Sequence, residues 1–400
     1  MTGRATAIRA RLGGRAVIRD SDEERVSSHL ELFFDLTFVV GISRAAAALH
    51  HQLVSGHTGA GVVGFVGGFV AVWWAWMNFT WFASAHDSDD VPYRLLTLVQ
   101  MAGVLVLAAG LTRAIEDRDF AVATIGYSIM RGGLICNWLR VARDQPETRA
   151  RALRYATGEF VLQVLWLLRL AAPDAFTIAS FVLLGIGELL VPVWAEQAAG
   201  RPMFNAGHIE ERYGLFTIIL LGESILAATV GFEVAVNEAG LTVGLAAVGL
   251  GGLVLAFAVW WIYFDHPGHL SPTPHNAFRW GYGHVVVFMS LAAMGAGIHV
   301  ATDSVVGHAD ARVGALAVAL PSAAYLLGLA LIMTITGTPL VSSRVLPKLV
   351  GAAVLVLIGL TAPVAATVAG CAVVMFGLAV AMVVAGPGAQ PVNVEASDKT

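Results

Sequence analysis

Two short stretches hold most of the side chains able to do chemistry: Glu31-Leu-Phe-Phe-Asp35, and His208-Ile-Glu-Glu-Arg212 past the middle of the chain. In a helix, Glu31 and Asp35 share one face, where two carboxylates can share a proton or attract a cation. The bland alternative is a helix start, where acids suit the dipole and bond backbone amides. The second stretch gathers His208, Glu210, Glu211 and Arg212, then turns apolar around Glu223. Arg212 and Glu223 lie about three turns apart on one helix face, roughly 16 Å along the axis. An acid at the centre of a bilayer costs about 2.5–3.5 kcal/mol, so its helix turns it toward a partner or a wet cavity. Glu223 is then either half of a structural ion pair or a station on a path for an ion or substrate.

Apolar helices must position these groups. Hydrophobic residues make up 57% of the chain and charged residues 13%, against about 25% charged in soluble domains. The mean hydropathy is +0.73. The chain reads as an all-α polytopic membrane protein with about twelve transmembrane helices, near 30–50, 60–83, 94–112, 119–139, 153–171, 175–195, 210–232, 240–264, 280–300, 312–333, 348–366 and 368–386. With the N-terminus inside, the loops obey the positive-inside rule: of 24 Lys and Arg, only Arg113, Arg118, Arg169 and Arg312 fall outside, while Arg44 and Arg131 fall within spans. Residues 1–28 read as a disordered cytosolic arm rather than a cleavable signal peptide, and 387–400 as a disordered tail. The net charge of −4, with no basic tract, gives no reason to expect nucleic acid.

The two stretches match each other. His29-Leu-Glu31, Phe34 and Leu36 correspond to His208-Ile-Glu210, Tyr213 and Leu215 at one offset, and the same offset sets Arg44 against Glu223. Further on, Val72-Trp73-Trp74 and Asn78 correspond to Val259-Trp260-Trp261 and Asp265, and Tyr93-Arg94 to Phe278-Arg279. The order predicts two parallel six-helix repeats, 29–200 and 201–386. It also predicts that Arg44 and Glu223 meet between the first and seventh spans. Spans ten to twelve carry few polar groups and read as lipid-facing scaffold.

Other groups carry weaker signals. Glu31 and Asp35 are expected at a polar opening on the cytosolic side. Arg94 and Arg279 open their spans beside acidic or His-rich linkers and either snorkel or hold an anionic group. His284 lies inside the ninth span, either titrating or bonded to a neighbouring helix. Arg131 has Glu159 and Glu188 as available counter-charges, with Asn137 and Gln163 nearby. Trp73, Trp74, Trp76 and Trp81 read as an inner interfacial belt. His266, His269 and His275 are too irregularly spaced in a Pro/Gly-rich loop to make a metal site, and no metal is expected. Cys136 and Cys371 read as free core thiols.

Glu31-Leu-Phe-Phe-Asp-Leu-Thr-Phe-Val-Val40 and His208-Ile-Glu-Glu-Arg-Tyr-Gly-Leu-Phe-Thr-Ile-Ile-Leu-Leu-Gly-Glu-Ser-Ile225 resemble the two signatures of the bacterial low-temperature-requirement A family. The Trp-rich second span, the chain length and the span count agree, and Thr37 departs where that family usually has an apolar residue. The resemblance implies a bacterial plasma-membrane protein with a cold-growth or stress-related role and no settled molecular activity. Over about ten residues, Phe34-Asp35 followed by Phe38 is also similar to the Phe-Ser-Asp signature of a family of twelve-span or tetrameric six-span potassium channels. Phe replaces Ser here, and Tyr213-Gly214 stands where the motif should recur.

The leading functional reading is a transporter or channel for an ion or small solute. Its path would use Glu31, Asp35, Arg44, His208, Glu211, Arg212, Glu223, Asp265, Arg279 and His284. The alternatives are a membrane-embedded enzyme acting on a lipid or hydrophobic small molecule, and a stress-related component without turnover. No catalytic motif or cofactor-binding pattern appears. Expected partners are membrane lipid and the solute, with a homo-oligomer left open. Both termini are expected in the cytosol.

Overall fold

The computed structural model describes residues 26–198, 204–265, 270 and 274–385. Within them the chain forms twelve α-helices and no strand. They are α1 His29–Val54, α2 Thr58–His86, α3 Val91–Glu116, α4 Ala121–Asp144, α5 Arg149–Arg169, α6 Thr177–Glu196, α7 Ala206–Ala239, α8 Val243–Phe264, α9 Pro274–Val306, α10 Ala311–Ile335, α11 Leu346–Thr361 and α12 Val364–Ala385. Eleven of the twelve expected spans overlap one helix each, and 348–366 runs from α11 into α12. The boundary differs between the last two, where the chain leaves helix at Ala362, just before Pro363. Proline restricts the residue before it to extended backbone, so the turn falls there.

Nine helices of the described residues are long and apolar enough to cross a membrane. Among the described residues, α4 and α5 fall short because both carry internal charges, and α11 has only 16 residues. Local chemistry fixes several starts. Ser28 and Glu31 form a reciprocal capping box on α1, so Ser28 belongs to the helix cap rather than to the polar arm. Asp90, Asn205, Thr242 and Asp310 cap α3, α7, α8 and α10 by accepting from backbone amides.

In the first six helices, α1 packs on α2 and α3, α3 on α4, α4 on α5 and α5 on α6. In the last six, α7 packs on α8 and α9, α9 on α10, α10 on α11 and α11 on α12, while α12 also lies against α8. The two sets join where α1 and α2 meet α7 and α9. Glu31 to His208 and Asp35 to Arg212 are both separated by 177 residues, so α1 and α7 run parallel, side by side. The outer surface is strongly apolar. On α1, Phe33, Leu36 and Val40 form an exposed strip.

Glycine brings two helix pairs close. A methyl group on Gly126 of α4 would fall on the backbone of Leu107 and Gly103 in α3. One on Gly297 of α9 would fall on the carbonyl of Ala317 in α10. Backbone cannot swing aside as a side chain can, so Gly126→Leu and Gly297→Leu are each expected to cost about 1–3 kcal/mol or more by overpacking. Gly132, with no atom near its would-be Cβ, is the control. Thermal unfolding in detergent checks this, and equal midpoints for Gly126→Leu and Gly132→Leu would contradict it.

Candidate functional site

Where α1, α7 and α9 meet, side chains stack in layers along the helix axes. The first layer, nearest the start of α1, is ionic. Arg212 donates through Nε to Asp35 Oδ2 at 3.1 Å and through Nη2 to Asp35 Oδ1, and its Nη1 lies 3.3 Å from Glu31 Oε1. His208 Nε2 is 3.0 Å from the same Glu31 oxygen. Trp76 Nε1 donates to Asp35 Oδ1 at 2.6 Å, and the Ser28 amide donates to Glu31 Oε2 at 2.8 Å. The side chains of Glu31, Asp35, His208 and Arg212 are all fully buried. Two carboxylates face one guanidinium here, with the His208 ring beside them.

This layer corrects two expectations. Glu31 and Asp35 do avoid lipid, but they are sealed inside protein rather than set at an opening, because α7 lays two bases directly over them. Trp76 is no interfacial residue. With Trp73 and Trp74 it lies in the core. A carboxylate buried in an apolar bundle requires donors, and an indole N–H supplies one while its ring fills apolar space. Trp81 is only partly buried, and its Nε1 donates to Tyr213 Oη at 3.3 Å.

The second layer is aromatic. Trp76 stacks on Phe216 at 4.1 Å between ring centroids and meets Phe288 edge-on, and Phe34 lies against Phe38 at 4.6 Å. Phe34, Phe38, Trp76, Phe216 and Phe288 are all fully buried. Above them a cavity of about 120 Å³ opens, lined by Ile42, Ala46, Leu220, Glu223, Ala292 and Gly295 among others. Ser224 borders it and donates to the carbonyls of Leu220 and Leu291, at 2.9 and 3.0 Å.

The cavity ends at a third polar layer that sequence reasoning missed. His50 Nε2 is 2.7 Å from Asp303 Oδ2, and the rings of His50 and His299 stack at 3.8 Å. The signal was present, since His299 and Asp303 sit one helical turn apart on α9, but His50 comes from a helix about 250 positions away.

Arg44 and Glu223 do not pair. Among the described residues neither makes an ion pair, and Arg44 is exposed. The helix phase explains it. Asp35 sits on the face that α7 covers, and nine residues at 100° each put Arg44 opposite, in line with exposed Phe33, Leu36 and Val40.

The remaining candidates scatter. Glu211 is partly exposed at the edge of the ionic layer, where it accepts from the Ser27 amide at 3.0 Å. Asp265 caps the C-terminus of α8 and is exposed. Arg279 is also exposed, beside a separate cavity of about 690 Å³ lined by Val193, Glu196, Tyr282 and Leu331. His284 is buried, with Nδ1 2.8 Å from the Trp280 carbonyl of its own helix, not a neighbour's. Arg94 pairs with Asp89 at 2.8 Å. His266 and His269 lie outside the described residues, as does the side chain of His275. Cys371 is buried as expected, whereas Cys136 is exposed on the outer face of α4.

A second ionic cluster lies within the first six helices. Arg131 of α4 donates to Glu188 of α6 at 2.5 Å and lies 3.4 Å from Glu159 of α5. Trp74 and Trp166 donate their indole N–H to Glu188 at 3.1 and 3.3 Å. The pairing expected for these charges is present, inside a closed shell.

A family model described as bacterial low temperature requirement A protein (LtrA) matches residues 26–385. The chain is also similar to an uncharacterized protein of Rhizobium meliloti (strain 1021), 26% identical over 288 residues, which is 67% of this chain and 68% of that one. No solved structure matches. Since the family match takes in every described helix, the chain belongs to the bacterial low temperature requirement A family.

Proposed function

We propose that the protein is a transporter or channel that carries an ion or small solute along the seam of α1, α7 and α9. One observation carries this reading: Glu223, inside an apolar helix, faces a cavity rather than a partner charge among the described residues. At roughly 30 Å³ per molecule, a cavity of that size has room for a few waters. Beneath it the aromatic layer closes the seam, and the ionic layer closes it again. A path wet at one end and shut at the other suits a solute route through the membrane.

Two parallel six-helix repeats, 29–200 and 201–386, belong to the same reading. Three features support them: the recurring motifs, the parallel course of α1 and α7, and the similar order in which helices neighbour one another in the two sets. The charge distribution of the loops supports a bacterial plasma-membrane location with both termini cytosolic, so the cavity would face outward. A role in cold or other stress would follow from what is carried.

The enzyme reading has one observation in its favour, an apolar cavity of about 470 Å³ between α7, α8 and α9. The hydroxyl of Ser224 at its wall is committed to two carbonyls, so that cavity suits a lipid chain better than a nucleophile.

Flux into proteoliposomes, measured for protons and for a panel of monovalent and divalent cations, tests the proposal. Wild-type protein is expected to conduct at least one of them above protein-free vesicles. Glu223→Gln is expected to lower that flux about tenfold, equivalent to about 1.4 kcal/mol, with thermal stability unchanged. Flux equal to protein-free vesicles for the whole panel, or unaltered by Glu223→Gln, would overturn it.

A further inference from the structure

We infer that His50, His299 and Asp303 form a binding site for a divalent first-row transition metal ion at the cavity end of the seam. One ligand atom from each of the three lies within 4.8 Å of the others. Two imidazoles and a carboxylate are a set that zinc, cobalt or iron(II) accepts while keeping a position open. Tetrahedral bonds of about 2.0–2.1 Å place ligand atoms roughly 3.3 Å apart. The three ligand atoms, already within 4.8 Å of one another, would have to settle at that spacing on binding.

Three features suit a metal better than a plain hydrogen-bonded pair. His299 and Asp303 are four apart on α9, which aims both at one point beside the helix. Among the described residues no hydrogen bond holds the ring nitrogens of His299, which has the stacked His50 ring and the Asp303 carboxylate as polar neighbours. Gly231 of α7 makes the space for that ring, since a Cβ there would fall on His299 Cδ2. All three groups are partly buried, and His50 and His299 line the cavity that Glu223 also lines. An ion held here would sit beside the cavity whose lining includes the Glu223 carboxylate.

The site stands apart from transport, because binding is read on detergent-solubilised protein and flux on vesicles. Binding without flux would retain the site and remove the path. Zn²⁺ and Co²⁺ are the probes, followed by competition titration and by the visible absorption of bound Co²⁺. One ion per chain is expected. Asp303→Asn, which keeps the shape and the hydrogen bond to His50, and His299→Ala should each weaken binding by about 100-fold or more, beyond the 10–100-fold seen for outer partners of a metal. Gly231→Ala, which removes no ligand, should weaken it by crowding the His299 ring. Metal-free thermal unfolding confirms that each variant is folded. The site is overturned by an absence of saturable Zn²⁺ or Co²⁺ binding to wild-type protein. It is equally overturned by binding that survives both Asp303→Asn and His299→Ala.

Discussion

Arg212→Ala is expected to be among the most damaging single substitutions in the chain. It leaves Glu31 and Asp35 as buried carboxylates facing the neutral donors Ser28 N–H and Trp76 N–H and the His208 ring, without the guanidinium between them. Stranding one side of a buried pair typically costs about 3–5 kcal/mol. At about 2 °C per kcal/mol, the unfolding midpoint should fall by roughly 6–10 °C. Replacing the whole set at once, with Glu31→Gln, Asp35→Asn and Arg212→Gln, should recover most of the loss, because uncharged hydrogen-bonding groups of similar shape leave no orphan charge. The comparison separates charge stranding from simple loss of packing. An Arg212→Ala protein that melts with the wild type would mean that Arg212 is not the counter-charge for these acids.

That cluster also shows what sequence alone can and cannot settle. Twelve helices were legible because a bilayer demands long apolar runs, and their ends were legible where caps such as Ser28 and Asn205 stand. The chemistry of the seam was half legible. Glu31, Asp35, His208 and Arg212 stood out as charges too costly to leave in lipid. Their partners were not, because helical phase fixes which residues of one helix share a face but not which face a second helix covers. Matching motifs suggested that equivalent positions meet, hence Arg44 with Glu223. The fold instead lays the acids that open α1 against the bases that open α7 and turns Arg44 outward.

Position in the membrane misled in a second way. Tryptophans near a span end read as interfacial anchors, yet Trp74 and Trp76 point inward and donate to Glu188 and Asp35. A buried carboxylate supplied by another helix is invisible along the chain. The His50, His299 and Asp303 group was hidden for the same reason, since only the packing of α1 on α9 unites it.

The charges within the first six helices make the sharpest test of where a path runs. Arg131 is fully buried between Glu159 and Glu188, and no residue of this cluster borders the Glu223 cavity. Arg131→Ala should therefore cost about 3–5 kcal/mol by stranding two acids. Combining Arg131→Met with Glu159→Gln and Glu188→Gln removes every charge together and should restore thermal stability to near the wild-type value, since apolar or neutral replacements of buried ion pairs are often tolerated. The restored protein should also conduct as the wild type does, because its charges hold α4, α5 and α6 together and line no path. Glu223→Gln should show the opposite pattern, stable but slow. If the charge-free triple variant is stable yet fails to conduct, the route runs through the first six helices and the α1–α7–α9 seam is structural.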